Sequence, residues 1–251
     1  VPSRAASRAA APKITGSVLF GSGNDVFEVA DGSVAGTTRF GGGNNRLGLS
    51  GDALVQGDVT FGAGADRVAL GGTSVLAGAV DFGSGADTLT LADKAVFRGT
   101  LANSGGAAVT ISGGTLDVRS AGIVTLSSLN LSGDSTIGVT IDPATRSATQ
   151  YQAGSASFGQ GAKVSVSVAS VGSAEGNYVI VKAGTLTGGG NLTATSASLP
   201  FMFKGNVSTD EAAGQVTLKV QRKAATELGL NRSQAAAYDA VLKALDKDAK
   251  V

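Results

Sequence analysis

Short runs in which apolar residues alternate with small or polar ones fill the first hundred residues, and Gly, Ser, Asn and Asp interrupt them at regular intervals. Alternation with period 2 predicts strands, and the Gly-rich interruptions predict tight turns between them. The pattern is a repeat. Phe20-Gly-Ser-Gly-Asn-Asp25 is followed by Phe40-Gly-Gly-Gly-Asn-Asn45, Phe61-Gly-Ala-Gly-Ala-Asp66 and Phe82-Gly-Ser-Gly-Ala-Asp87, in steps of 20, 21 and 21 residues. Val18, Thr38, Val59 and Val80 stand two residues before each phenylalanine. Phe27 and Val29, Leu47 and Leu49, Val68 and Leu70, and Leu89 and Leu91 stand seven and nine residues after it. Val34, Leu54, Val75 and Val96, shortly before Gly36, Gly57, Gly78 and Gly99, read as a further column.

A unit of about 21 residues cannot bury its own apolar face, so copies must stack. Each Phe, Val and Leu then lies on its equivalent one strand spacing away, roughly 4.8 Å. The expected fold is all-β: a right-handed parallel β-helix over 17–141, with Phe20, Phe40, Phe61 and Phe82 as one internal column. Gly21, Gly23, Gly41, Gly43, Gly62, Gly64, Gly83 and Gly85 mark the sharp turns, where positive φ is cheap only for glycine.

Beyond Gly99 the phrase loosens, but Ala108–Ile111, Gly114–Val118, Gly122–Leu126, Leu129–Leu131 and Ser135–Ile141 still read as strands. About six coils of about 21 residues give a rod near 30 Å long, roughly. Asp142-Pro143 is expected to break the run. Over 142–223 the strands lengthen, as expected of a β cap over an otherwise unpaired edge, with Phe201, Met202 and Phe203 adding bulk. In 224–251, Asn231 and Gln234 form a capping-box pattern. Tyr238, Val241, Leu242 and Leu245 then make one helical stripe, with Asp239 and Lys243 at i, i+4. Residues 1–16 are Ala/Ser/Arg-rich, with Arg4 and Arg8, and read as a linker, a processed arm or a flexible end. With no initiator Met and no signal-peptide core, the chain looks like a piece of a longer precursor.

Charge and composition narrow the chemistry. The formal net charge is +1, so no nucleic-acid partner is expected. There is no Cys and no His, which removes disulfides, thiolate sites, a Ser-His-Asp triad and His-ligated zinc within this chain. No apolar run approaches the length of a membrane-spanning helix.

The Gly-rich strands, the terminal module with Gly176-Asn-Tyr-Val-Ile-Val-Lys182, and Leu228-Gly-Leu-Asn-Arg-Ser-Gln-Ala-Ala-Ala-Tyr-Asp-Ala-Val-Leu come in a familiar order. Together they resemble the C-terminal part of an autotransporter (type V secretion) passenger over nearly the whole chain. The repeated phrase looks most like stems carried by subtilisin-type protease autotransporters of alphaproteobacteria. The resemblance implies a cell-surface stem on a Gram-negative outer membrane, with an autochaperone-like cap over Tyr151 to Gln221 and a linker helix towards a translocator barrel. Its partners would be that barrel and an effector domain in the precursor, neither of which is in this sequence. The stem itself would be no enzyme and use no cofactor.

Two rival readings attach to the same residues. Gly-x-Gly-x-Asp resembles the calcium-binding repeats-in-toxin nonapeptide, whose turns place carboxylates and carbonyls around hard cations. Those nonapeptides are contiguous, whereas this phrase recurs every 20 or 21 residues and carries Asn45 in its second copy. No metal is therefore expected; Asp66 and Asp87 are where calcium would be sought first. Hydrogen bonds from the turn side chains to their own backbone account for Asp and Asn there. Asp66-Arg67, Asp117-Val-Arg119 and Asp210-Glu211 read as solvated turn charges, not catalytic pairs. A surface adhesin or self-associating scaffold, using flat Ser- and Thr-bearing strand faces, is the other alternative.

Overall fold

The computed structural model describes residues 11–169, 174–195, 199, 201–238 and 240. Among these, 22 strands join into one long sheet that is mostly parallel, and a short helix covers 232–238. The all-β expectation is met. The sheet is not closed on itself: Lys13–Thr15, Val18–Leu19 and Val26–Val29 pair on one side only, with the strands of the next repeat.

Repeat periodicity becomes strand register. Phe27 pairs with Leu47, Leu47 with Val68, Val68 with Leu89, Leu89 with Val109, Val109 with Leu129 and Leu129 with Ala156. Two residues on, Val29, Leu49, Leu70, Leu91, Ile111, Leu131 and Phe158 form the parallel column. The ladder that runs from Lys13–Thr15 through Ser33–Ala35 supplies facing columns, and the buried residues of both ladders belong to one hydrophobic cluster.

One expected column is off by a residue. Val34 pairs with Val55, not Leu54, and the column continues through Leu76, Phe97, Leu116 and Ile137. Because side chains alternate across a strand, that slip exchanges faces. Val55, Leu76 and Phe97 are fully buried, while Leu54, Val75 and Val96 are half-buried. The stacked glycines fit this register, since Gly57 lies on Gly36, with a Cβ there 2.1 Å from the Gly36 carbonyl oxygen, and this sets Val55, two residues before, on Val34.

The parallel run extends beyond both ends of 17–141. Lys13–Thr15 is already a strand. At the other end, Asp142 does turn the chain: its Oδ1 accepts the Ala144 N–H and its Oδ2 the Thr145 hydroxyl, and Arg146 has positive φ. The turn closes a hairpin, with Ile141 opposite Ala148. Yet Thr136–Asp142 pairs in parallel with Lys163–Val168, and Gly122–Ser132 with Ser147–Phe158. The ladders therefore pass through Asp142-Pro143 with a longer step, 27 residues between Asn130 and Ser157.

Strand length grows along the chain. Strands of two to four residues near the start give way to 11 and 12 residues in Gly122–Ser132, Ser147–Phe158 and Gly176–Thr187. The last of these pairs with the antiparallel strand Gln215–Arg222, itself paired with Phe203–Asp210. Tyr151 is fully buried and donates its hydroxyl to the Gly138 carbonyl at 2.8 Å.

Phe201 does not join that core. It is 75 % exposed, whereas Phe203 is 4 % exposed. Residues 201 and 202 form a turn and the strand begins only at Phe203, so the alternation does not carry Phe201 inward. The Lys223 ammonium lies 5.0 Å from the Phe201 ring centre, a cation–π contact at the surface. Met202 is partly buried against the core. Ahead of the helix, Asn231 Oδ1 accepts the Gln234 N–H and Gln234 Oε1 the Asn231 N–H, each at 2.9 Å, the reciprocal cap expected. Arg4, Arg8, Asp239, Val241, Leu242, Lys243 and Leu245 lie outside the described residues.

Candidate functional site

The repeated phrase is the turn between the two ladders, joining Val59–Thr60 to Arg67–Leu70 in its third copy. Phe20, Phe40, Phe61 and Phe82 form the expected column: successive ring centres are 4.7, 4.7 and 6.0 Å apart, with planes within 10° of parallel. Phe40, Phe61 and Phe82 are buried; Phe20, at the open end, is partly so.

The two glycines of the phrase answer different demands. At Gly23, Gly43, Gly64 and Gly85, φ lies between 109° and 148°, as expected. Gly21, Gly41 and Gly62 do not have positive φ, which corrects the expectation for the first glycine, although Gly83 does at 67°. Close stacking explains Gly41 and Gly62 instead and adds to the demand at Gly83, while a Cβ at Gly21 would meet nothing within 4 Å. A Cβ would lie 1.9 Å from the Gly21 carbonyl oxygen at Gly41, 2.6 Å from that of Gly41 at Gly62, and 2.0 Å from that of Gly62 at Gly83.

Behind the glycines runs a second column that periodicity marked without revealing its bonds. The Asp25 N–H donates to Asn45 Oδ1 at 3.0 Å, the Asn45 N–H to Asp66 Oδ1 at 2.7 Å, and the Asp66 N–H to Asp87 Oδ1 at 2.9 Å. Each Oδ1 caps the backbone of the preceding repeat, which corrects the own-turn reading for Asp66 and Asp87, whereas Asn45 bonds to both. Asn45, Asp66 and Asp87 are each 1 % exposed. Asn45 also donates from Nδ2 to the Gly41 and Gly43 carbonyls, at 3.2 and 3.1 Å. Outside this column a second one runs the other way: Asn24 Oδ1 accepts the Asn44 N–H, and Asn44 Oδ1 the Ala65 N–H.

Electrostatics single out one member. Burial pushes the Asp87 carboxyl above its ordinary range; the Asp66 N–H partly offsets this, and the Asp66 charge adds to it. Among the described residues no group of three or more acids is placed to hold a metal ion. The other charged pairs are framework. Asp117 Oδ2 bridges Arg98 at 3.2 Å and Arg119 at 3.0 Å. Asp210 Oδ1 accepts the Ala213 N–H, Glu211 Oε1 accepts the Gly189 N–H, and Arg67 is exposed. No helix among the described residues is long and apolar enough to cross a membrane.

What the turn column does chemically is bind backbone to backbone along the repeat axis. Compared with protein-family models, with curated proteins and with solved structures, the chain finds no match in any of the three.

Proposed function

We propose that the two ladders wind as a right-handed parallel β-helix and that the chain is a structural stem, supporting export, folding and surface display without chemistry of its own. The observation that carries this reading is the rung-on-rung register of the repeats, continuous from Lys13–Thr15 to Thr193–Thr195 and covered at its far end by antiparallel strands. Each repeat leans mainly on its neighbours, so the array needs a formed end to grow from. The long strands Ser147–Phe158 and Gly176–Thr187 and their cover are that end, in keeping with the resemblance to autotransporter passengers.

Two truncations test the templating role, followed by far-UV circular dichroism during refolding. A chain lacking 1–56 is expected to refold nearly as fast as the intact one, while a chain lacking 199–251 refolds slowly or aggregates. The opposite order overturns the proposal.

A self-associating scaffold is a second reading, favoured by the exposed Ile14, Leu19 and Val26 along the one-sided edge. Sedimentation that depends on protein concentration, and is lost in Leu19→Lys, supports it; a monomer at all concentrations removes it.

A further inference from the structure

Asp25, Asn45, Asp66 and Asp87 occupy equivalent places in the turn column, and in Asn45, Asp66 and Asp87 Oδ1 does the same job, accepting a backbone N–H from the preceding repeat. The second terminal atom differs. In Asn45 it is a donor, Nδ2, bonded to the Gly41 and Gly43 carbonyls. In Asp66 and Asp87 it is Oδ2, buried and without a hydrogen-bond partner. The repeat puts Gly62 and Gly64, and then Gly83 and Gly85, where Gly41 and Gly43 stand. An ionised carboxylate there sets an acceptor against two acceptors, and two such charges on successive repeats repel. A neutral carboxylic acid restores the donor, and a buried polar atom without a partner is costly.

We propose that the Asp66–Asp87 pair takes up one proton from solvent when the chain folds, and holds it on Asp87 Oδ2 as an O–H donated to the turn carbonyls, the acid counterpart of the Asn45 amide. Atoms balance simply: one O–H bond forms and the pair loses one negative charge. The surroundings favour Asp87 as the holder. The preceding repeat presents Asp66, whose charge adds to the shift, and Arg67 beside that residue is exposed. On its own repeat, Asp81 is bound outside the turn by the Gly83 N–H and the Asn103 amide. The following repeat, from Asn103 to Ala107, carries no charge. Burial raises the Asp87 carboxyl in the same sense.

The linkage has a definite sign. A folded-state value above the unfolded one means the native chain binds more protons, so the stabilisation is complete below the ordinary aspartate range and is lost as pH rises through the raised value. The stem is firmer in acid.

Thermal melts of the full chain and of Asp87→Asn between about pH 4 and pH 9 test this, spanning the ordinary and raised aspartate range. Asp87→Asn is expected to melt several degrees higher than the parent at alkaline pH, with the gap closing towards acid. With aspartate labelled at the carboxyl carbon, NMR should show one carboxyl that stays protonated above the ordinary range and vanishes in Asp87→Asn. Should that variant not fold, Asp66→Asn serves, because removing the neighbouring charge should lower the pH at which the labelled Asp87 ionises. A melting shift equal at every pH overturns the proposal. So does a parent protein that calcium chloride stabilises and EGTA destabilises at alkaline pH while Asp87→Asn responds to neither, since a metal cation then occupies Oδ2.

Discussion

Truncating Phe61 to alanine probes the stacked column at its centre. The ring is buried between Phe40 at 4.7 Å and Phe82 at 6.0 Å. A buried phenylalanine removes about 200 Å² from water. At about 25 cal/mol per Å² this is about 5 kcal/mol, of which alanine keeps a small part. Both ring neighbours are themselves held by backbone stacking at the adjoining glycines, so the cavity cannot collapse far. Phe61→Ala should therefore cost about 3–5 kcal/mol. Phe20 has one column neighbour and is only partly buried, so Phe20→Ala should cost about 1–2 kcal/mol by the same coefficient. Urea titrations followed by circular dichroism give both numbers if the slopes of parent and variants agree. A Phe61→Ala loss below about 1 kcal/mol, or equal losses at the two sites, refutes the column as a load shared between repeats.

The stacked glycines predict a sharp contrast. Gly64→Ala, at φ 148° with a Cβ 2.1 Å from the Gly43 carbonyl oxygen, should prevent a stable fold, whereas Gly190→Ala, with no atom within 4 Å, should melt like the parent. Tyr151→Phe leaves the Gly138 carbonyl without its donor and should cost about 1–3 kcal/mol in the same titrations. Burial raises the Tyr151 phenol, with the Asp117 charge adding to it. Its neutral form therefore favours the fold, and the stabilisation is lost as pH rises past the ordinary tyrosine value. In an alkaline titration followed by tyrosinate absorbance, Tyr151 should ionise only as circular dichroism is lost; earlier ionisation contradicts its burial.

What was legible in the sequence was whatever repeats or is local. The Phe20-to-Phe82 column and the Phe27 and Val29 columns follow from constant spacing, and the Asn231–Gln234 cap lies within three residues. The Val34 column was misread because two alternating residues, Leu54 and Val55, are both apolar, and only pairing reveals which faces inward. The ladders beyond Asp142 were hidden because the step lengthens from 21 to 27 residues, which erases the period although the pairing persists. The Asn45–Asp66–Asp87 column was visible as turn residues, yet its bonds join residues 21 apart, and burial of the carboxyls has no local mark. Phe201 shows the converse: its apolar character suggested core, and the position of a turn put it outside.

The gradient in strand length has a mechanical consequence. A chain pulled from its first residues loads the two- to four-residue strands one after another, and each is held by few backbone bonds. Every 21-residue repeat that peels away releases roughly 70 Å of slack. The 11- and 12-residue strands farther on load many bonds at once and yield last. Under tension the molecule behaves as a tether that pays out in equal increments from one end while its other end holds fast.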